Sequence, residues 1–237
     1  TAADNVGVIQ ITWANRQGGS GTATLTGTTW TASGIPLQPG DNNLTVTAQD
    51  ASGNSGTAIL AVTYDPTPPV VAFTGPTTGV MVRGTVTLSA SASDNMGVVR
   101  VQFQVDGANL GPEVTASPYS IAWDTTTAAN GGHTLTALAR DAVGNGTLST
   151  PIIVTVDNSP PTAPTSVTAT ASGTQITLSW TAATDNVGVT GYRVERCQGA
   201  GCSSFTQVAT PSGTAYSDTG LQAATSYSYR VRAVDAA

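Results

Sequence analysis

The chain has 237 residues, a formal net charge of −6 and a pI near 4.4. Only 9% of its residues are charged, against roughly 25% in ordinary soluble domains, and all eight basic residues are Arg. That balance excludes the basic footprint a nucleic-acid binder needs, and no apolar run reaches the length of a membrane span.

The chain opens on Asp4-Asn5-Val6-Gly7-Val8. The phrase returns as Asp94-Asn95-Met96-Gly97-Val98, 90 residues on, and as Asp185-Asn186-Val187-Gly188-Val189, a further 91 on. A second phrase keeps step. Asp50-Ala51-Ser52-Gly53-Asn54 returns as Asp141-Ala142-Val143-Gly144-Asn145, 91 residues later, and its start reappears as Asp235-Ala236-Ala237. A period near 90 is too long for a solenoid and suits a small β-sandwich. Thr and Val favour strands, and Gly, Pro, Asn and Asp favour turns. No stretch keeps helical periodicity. The expected architecture is all-β: three tandem sandwiches over residues 1–65, 66–158 and 159–237.

The first module predicts strands at Val8–Trp13, Gly21–Leu25, Thr28–Ala32, Asn43–Gln49 and Thr57–Tyr64. Leu44, Val46 and Ala48 should face inward, with Thr45, Thr47 and Gln49 outward. Counted by the repeat, this module lacks its opening strands, and the third lacks its final strand. Two explanations stand open: a window on a longer protein, or a protomer whose broken sheets are completed by neighbours.

Asp65-Pro66-Thr67-Pro68-Pro69 is a Pro-stiffened linker. The second module predicts strands at Val70–Gly75, Thr85–Ala92, Val98–Val105, Tyr119–Trp123, His133–Arg140 and Ile152–Val156. Val105-Asp106-Gly107 is a hairpin turn by its Asp-Gly pair. Asp157-Asn158-Ser159-Pro160-Pro161 is a second linker.

The third module carries Ile176-Thr177-Leu178-Ser179-Trp180, then Gly191-Tyr192-Arg193-Val194, then a run from Leu221 through Thr225 and Tyr227 to Val234. These residues resemble fibronectin type III domains. The resemblance implies that Trp180 is core and that Leu221, Thr225 and Tyr227 form a tyrosine corner; Tyr192, Leu221 and Tyr227 are expected in the core beside Trp180. In the second module, Phe103-Gln104-Val105-Asp106-Gly107, Pro118-Tyr119, Trp123-Asp124 and Gly131-Gly132-His133 resemble the Ig-like domains repeated in large bacterial surface and secreted proteins, with Trp123 in the core. The first module, with Gly27-Thr28-Thr29-Trp30, resembles a related unit. The resemblance implies an extracellular or cell-surface setting and no particular ligand.

Cys197 and Cys202 flank a Gly-rich hairpin tip. The spacing suits a disulfide, because zinc would need two more soft ligands nearby. Such a bridge points to an oxidising compartment.

The acidic phrases have two readings. As turn chemistry, Asp and Asn bond locally and Gly takes positive φ. The second reading rests on topology. In a seven-stranded Ig-type sandwich the B–C and F–G loops lie at the end where the chain enters. Asp65, Asp94 and Asp141 would then meet at the first junction, and Asp157, Asp185 and Asp235 at the second. Three carboxylates with nearby carbonyls make an oxygen set suited to calcium.

His133 has no nucleophile in a recognisable motif around it, and a strand-edge role is expected. Trp13, Trp30, Trp123 and Trp180 are candidate sugar-stacking platforms, although one Trp per strand is more simply core packing. Asn43 and Asn145 stand in Asn-x-Thr sequons. The expected function is a non-catalytic structural or spacer segment, with a filament or sheath component assembled through edge strands as its special form. The alternative is a glycan-binding or adhesion module attached to a polysaccharide-active enzyme. Partners are neighbouring domains, protomers or glycans.

Overall fold

The computed structural model describes residues 1–236, and its strands fall in three sets. No described helix is long and apolar enough to cross a membrane. The first set contains β1 (Val8–Asn15), β2 (Ser20–Thr22), β3 (Thr24–Thr26), β4 (Thr29–Thr31), β5 (Gly40–Asp50) and β6 (Ser55–Tyr64). Four form an antiparallel sheet in the order β2-β1-β5-β6, and β3 pairs with β4 as a separate hairpin. Leu44 and Val46 share a cleft with Trp13 and Trp30, while Thr45 and Thr47 line the other side. The alternation is realised at Leu44, Thr45, Val46 and Thr47, whereas Ala48 and Gln49 line one cleft together and Thr45 to Gln49 are all half-buried. Burial is thin, however. Ile11, Trp13 and Leu44 are buried, whereas Ile59 and Leu60 on edge strand β6 are 72% and 58% exposed.

The second set contains β7 (Val70–Gly75), β8 (Met81–Val82), β9 (Thr85–Ser93), β10 (Val98–Val105), β11 (Ala108–Asn109), β12 (Tyr119–Asp124), β13 (Gly131–Asp141), β14 (Gly146–Leu148) and β15 (Ile152–Val156). One sheet runs β12-β9-β7; the facing sheet runs β11-β10-β13-β15-β8, with β14 beside β13. Leu88 from the first sheet meets Val101, Phe103, Leu135, Ala137, Val154 and Val156 from the second, and none of these is accessible to solvent. Phe73 stands edge-on to Phe103 at 5.7 Å. Trp123 is buried, as its motif implies. At the β10–β11 turn both Asp106 and Gly107 have positive φ, 51° and 80°, the conformation an Asp-Gly hairpin demands.

The third set contains β16 (Thr165–Ser172), β17 (Gln175–Thr181), β18 (Gly191–Gln198), β19 (Thr206–Ala209), β20 (Ala215–Asp218) and β21 (Tyr227–Val234). Sheets β16-β17-β20 and β19-β18-β21 enclose Leu178, Trp180, Tyr192 and Val194. Trp180 and Tyr192 meet edge-on at 5.3 Å. Leu221 is buried. Tyr227, expected in the core, is half-buried instead, because its hydroxyl reaches outward to accept the Gln222 N–H at 3.0 Å. That bond is the tyrosine corner. Cys197 and Cys202 are joined, with Cα atoms 6.0 Å apart.

Strand β16 carries no signal in the sequence because all eight of its residues are exposed, so no period of two develops. Strands β8 and β20 are too short to show one. Strand register determines which loops share an end. Val70 pairs with Ser93 and Val98 with Asp141, so the incoming linker, the β9–β10 connection and the end of β13 lie at one end of the second sandwich. Thr165 pairs with Thr181 and Gly191 with Val234, which repeats the arrangement in the third.

Candidate functional site

Each turn aspartate is fixed by local bonds. Asp94 Oδ2 accepts the Met96 N–H at 2.8 Å, and Asp185 Oδ2 accepts those of Val187 and Gly188 at 2.8 and 2.9 Å. Gly97 and Gly188 follow at φ 97° and 134°, a region other residues avoid, which is why the phrase needs glycine there. Asp141 closes the other turn. Its Oδ1 accepts from Val143, Gly144 and Asn145 N–H, and its Oδ2 accepts from the Asn145 amide at 2.8 Å.

The linker aspartates come from elsewhere. Asp65 Oδ1 accepts the Thr67 N–H at 3.1 Å and reaches across to the Asn95 amide at 3.2 Å. Asp157 Oδ1 does the same with the Ser159 N–H and the Asn186 amide, both at 3.2 Å. The Asn145 amide also donates to the Asp65 carbonyl at 2.8 Å, tying linker to β13. With its amide nitrogen so engaged, Asn145 is a poor glycan acceptor. Asn95 and Asn186 are the members of the site that sequence reasoning did not single out. Their place beside Asp in the repeated phrase was the available signal.

The outcome is two carboxylate clusters. Asp65, Asp94 and Asp141 bring one oxygen each within 4.8 Å of one another, and so do Asp157, Asp185 and Asp235. At 4.8 Å or less two ionised carboxylates repel by at least about 3.5 kcal/mol at an effective dielectric of about 20. Asp65 and Asp141 are 6% and 2% exposed, and Asp157 only 1%. Four oxygens, Asp65 Oδ2, Asp94 Oδ1, Asp157 Oδ2 and Asp185 Oδ1, are buried without a hydrogen-bond partner. Each such oxygen costs about 1–3 kcal/mol when nothing replaces the lost water.

One carboxyl of each cluster is nonetheless held in its anionic form. Burial pushes the Asp141 carboxyl up. The Asn145 amide and the N–H groups of Gly144, Asn145 and Val143 outweigh it and hold the group below the usual carboxylate range. The Gly188 and Val187 N–H groups hold Asp185 low in the same way. Thr190 Oγ1 donates to the Asp235 carbonyl at 2.9 Å, placing that residue at the second cluster. The first module carries the same turn phrases. Asp50 accepts from Asn54 through both oxygens, and Asp4 accepts the Val6 N–H. Among the described residues, however, three carboxylates converge only at the two junctions.

The other sequence candidates lie apart. His133 Nδ1 meets Asp106 Oδ2 at 2.6 Å and Nε2 meets the Ala129 carbonyl at 2.8 Å, so the ring bridges a hairpin to a strand. Trp13 is buried, and Trp30 is half-buried and lines a cleft with Trp13, Ile35 and Leu44. Glu113 pairs with Arg100 at 3.5 Å, and Glu195 with Arg230 and Arg232. Sequence reasoning also missed a partly buried network in the third module. Asp218 receives Arg196 Nη1 at 3.0 and 3.1 Å and the Tyr229 hydroxyl at 2.8 Å.

Residues 69–137 match the family model described as a bacterial Ig domain, and residues 159–237 match that of the fibronectin type III domain. Chitinase A1 of Niallia circulans is 42% identical over 182 residues, which cover 73% of this chain and 24% of that protein. Endoglucanase B of Cellulomonas fimi is 32% identical over 242 residues, covering 91% of this chain and 22% of that protein. The chain thus spans about a quarter of the length of these relatives. Among solved structures, domains from titin superpose with a TM-score of 0.55 at 16% identity, covering 96% of this chain and 83% of that one, a likeness of fold alone.

Proposed function

In this chain a bacterial Ig domain is followed by a fibronectin type III domain, and we propose that it is a non-catalytic spacer within an extracellular polysaccharide-active enzyme. The observation that carries the proposal is the pattern of likeness. Relatives named as a chitinase and an endoglucanase match along most of this chain, while the match takes up about a quarter of each of them. Both matched domain types are non-catalytic. The Cys197–Cys202 bridge supports an extracellular setting, since such bonds persist in oxidising compartments. The Pro-rich linkers support a stiff connection.

The glycan-binding alternative needs an exposed aromatic face, and Trp13, Trp30, Trp123 and Trp180 are all buried or half-buried. Assembly through edge strands has one observation behind it: β6 is exposed along almost its whole length, with Ile59 and Leu60 in the open. Sedimentation of the chain with insoluble chitin, cellulose and starch tests the proposal, with light scattering alongside. The expected result is a monomer that stays in the supernatant and releases no sugar. Retention on one polymer with a Kd below about 100 μM, roughly −5.5 kcal/mol, would favour the glycan-binding module. Concentration-dependent growth in mass would favour the assembling form.

A further inference from the structure

We propose that each junction is a calcium site: Asp65, Asp94 and Asp141 hold one ion, and Asp157, Asp185 and Asp235 hold a second. This goes beyond the spacer role and stands whether or not that role is correct. An acidic cluster alone would not carry it, because Asp in turns is common. The independent observation is the set of oxygens left over once the turns are satisfied. Asp65 and Asp157 are more than nine-tenths buried, and each uses Oδ1 for its linker turn and for an asparagine amide. The Oδ2 of each has no partner. Asp94 and Asp185 use Oδ2 for their turns and leave Oδ1 buried and unpartnered. Turn chemistry therefore accounts for one oxygen of each of these four carboxylates and leaves the other without a function.

The same atoms are left over at both junctions, although the neighbours differ. The second junction joins an Ig domain to a fibronectin type III domain. A packing accident would not repeat atom for atom between unlike partners. The donors are all hard oxygens, and no sulfur or imidazole is among them, which selects calcium or magnesium over zinc. The three oxygens of each cluster lie within 4.8 Å of one another, close enough to bind one ion together at the calcium distance of about 2.4 Å. Magnesium demands a near-ideal octahedron at about 2.1 Å, keeps several waters and is usually held by one or two carboxylates, so a partly buried set of three carboxylates favours calcium. Carbonyls and water complete the shell of six to eight. Each site takes one ligand from the linker and two from the sandwich it enters, so the ion couples linker direction to domain.

The test is calorimetric titration of the EDTA-stripped 237-residue chain with CaCl₂ and, separately, MgCl₂. The expected result is two equivalents of calcium, with magnesium at least tenfold weaker. Asp94→Asn should leave one equivalent, and the Asp94→Asn/Asp185→Asn pair none. An asparagine oxygen still accepts the turn N–H groups, so the fold should persist, and far-UV circular dichroism checks this. Asp4→Asn lies in the same repeated phrase outside either triad and should leave both equivalents. Absence of calcium binding to the unmodified chain, or unchanged stoichiometry in the double variant, would overturn the proposal; equal affinity for magnesium would overturn its calcium assignment. If a variant fails to fold, the unmodified chain decides. Its melting temperature should rise by several degrees in 1 mM CaCl₂ and fall back with EDTA, and a transition indifferent to both would overturn the proposal.

Discussion

The second and third modules solve the same architectural problem with different interactions. The second relies on apolar volume. Eight side chains from Leu88 to Val156 are fully removed from water, drawn from both sheets. The third has four buried residues in its central cluster and adds polar ties. Arg196, Asp218 and Tyr229 are linked across its sheets, Glu195 pairs with Arg230 and Arg232, and Cys197 is bridged to Cys202. The difference teaches that core composition is free to vary when the ends are not. The two modules share few core positions in kind, yet at their entry ends they place aspartates and asparagines in the same pattern of bonds.

The sharpest way to break the comparison is to empty the second core. Phe103→Ala removes a fully buried ring that stands against Phe73. A loss of about 3–5 kcal/mol is expected, confined to the second module. Hydrogen exchange under native conditions checks this. Amides of β10 and β13 should lose protection, while those of β18 and β21 keep theirs. Equal loss in both would mean that the modules unfold as one unit, and that the contrast between their cores has no energetic meaning.

The corresponding experiment on the third module targets its polar network. Asp218→Ala leaves the Arg196 guanidinium and the Tyr229 hydroxyl without their partner. Asp218 is nearly buried, whereas Arg196 is 31% exposed and can turn to water. A loss of about 2–3 kcal/mol is expected, less than a fully buried pair would give. Urea unfolding followed by Tyr and Trp fluorescence reads it. The half-buried phenol of Tyr229, whose pKa is pushed well up by burial and then by Asp218, should also ionise at lower pH in the variant. No change in either measurement would show that apolar contacts alone hold this module.

Much of the architecture was legible in the sequence, for identifiable reasons. The strands with a period of two, such as β9 and β17, bury one face and so carry a pattern. The junction aspartates were legible because two phrases repeat about 90 residues apart, and because sandwich topology brings the B–C and F–G loops to the entry end. The hidden features had no local signature. Strand β16 exposes every residue. Asn15 and Asn42 are buried and bonded to each other at 2.8 Å, in a place where a pattern of hydrophobicity expects an apolar pair. Arg196 and Asp218 are 22 residues apart and belong to facing sheets, and no spacing rule links them.

The smallest effect concerns pH, and it separates the modules again, because the only histidine is in the second. The Ala129 carbonyl, and after it Asp106, favour the imidazolium of His133. Burial opposes them, and the net result is a pKa above the ordinary 6.5. Asp106 is held below 3.8 by the Thr134 N–H and then by His133. A raised histidine stabilises the fold fully below its unfolded pKa, and that contribution disappears as pH rises through the folded one. A lowered carboxyl contributes above 3.8 and is lost as pH falls through its folded value. The pair is therefore strongest between about pH 4 and 6.5. Asp106 is half exposed and screened by solvent, so the difference between pH 5.5 and 8 should be only about 0.5 kcal/mol. That corresponds to about 2–4 °C in the melting of a module of this size. His133→Gln should flatten the slope in the second module and leave the third untouched. A slope that survives the substitution would show that His133 does not carry the pH dependence of that module.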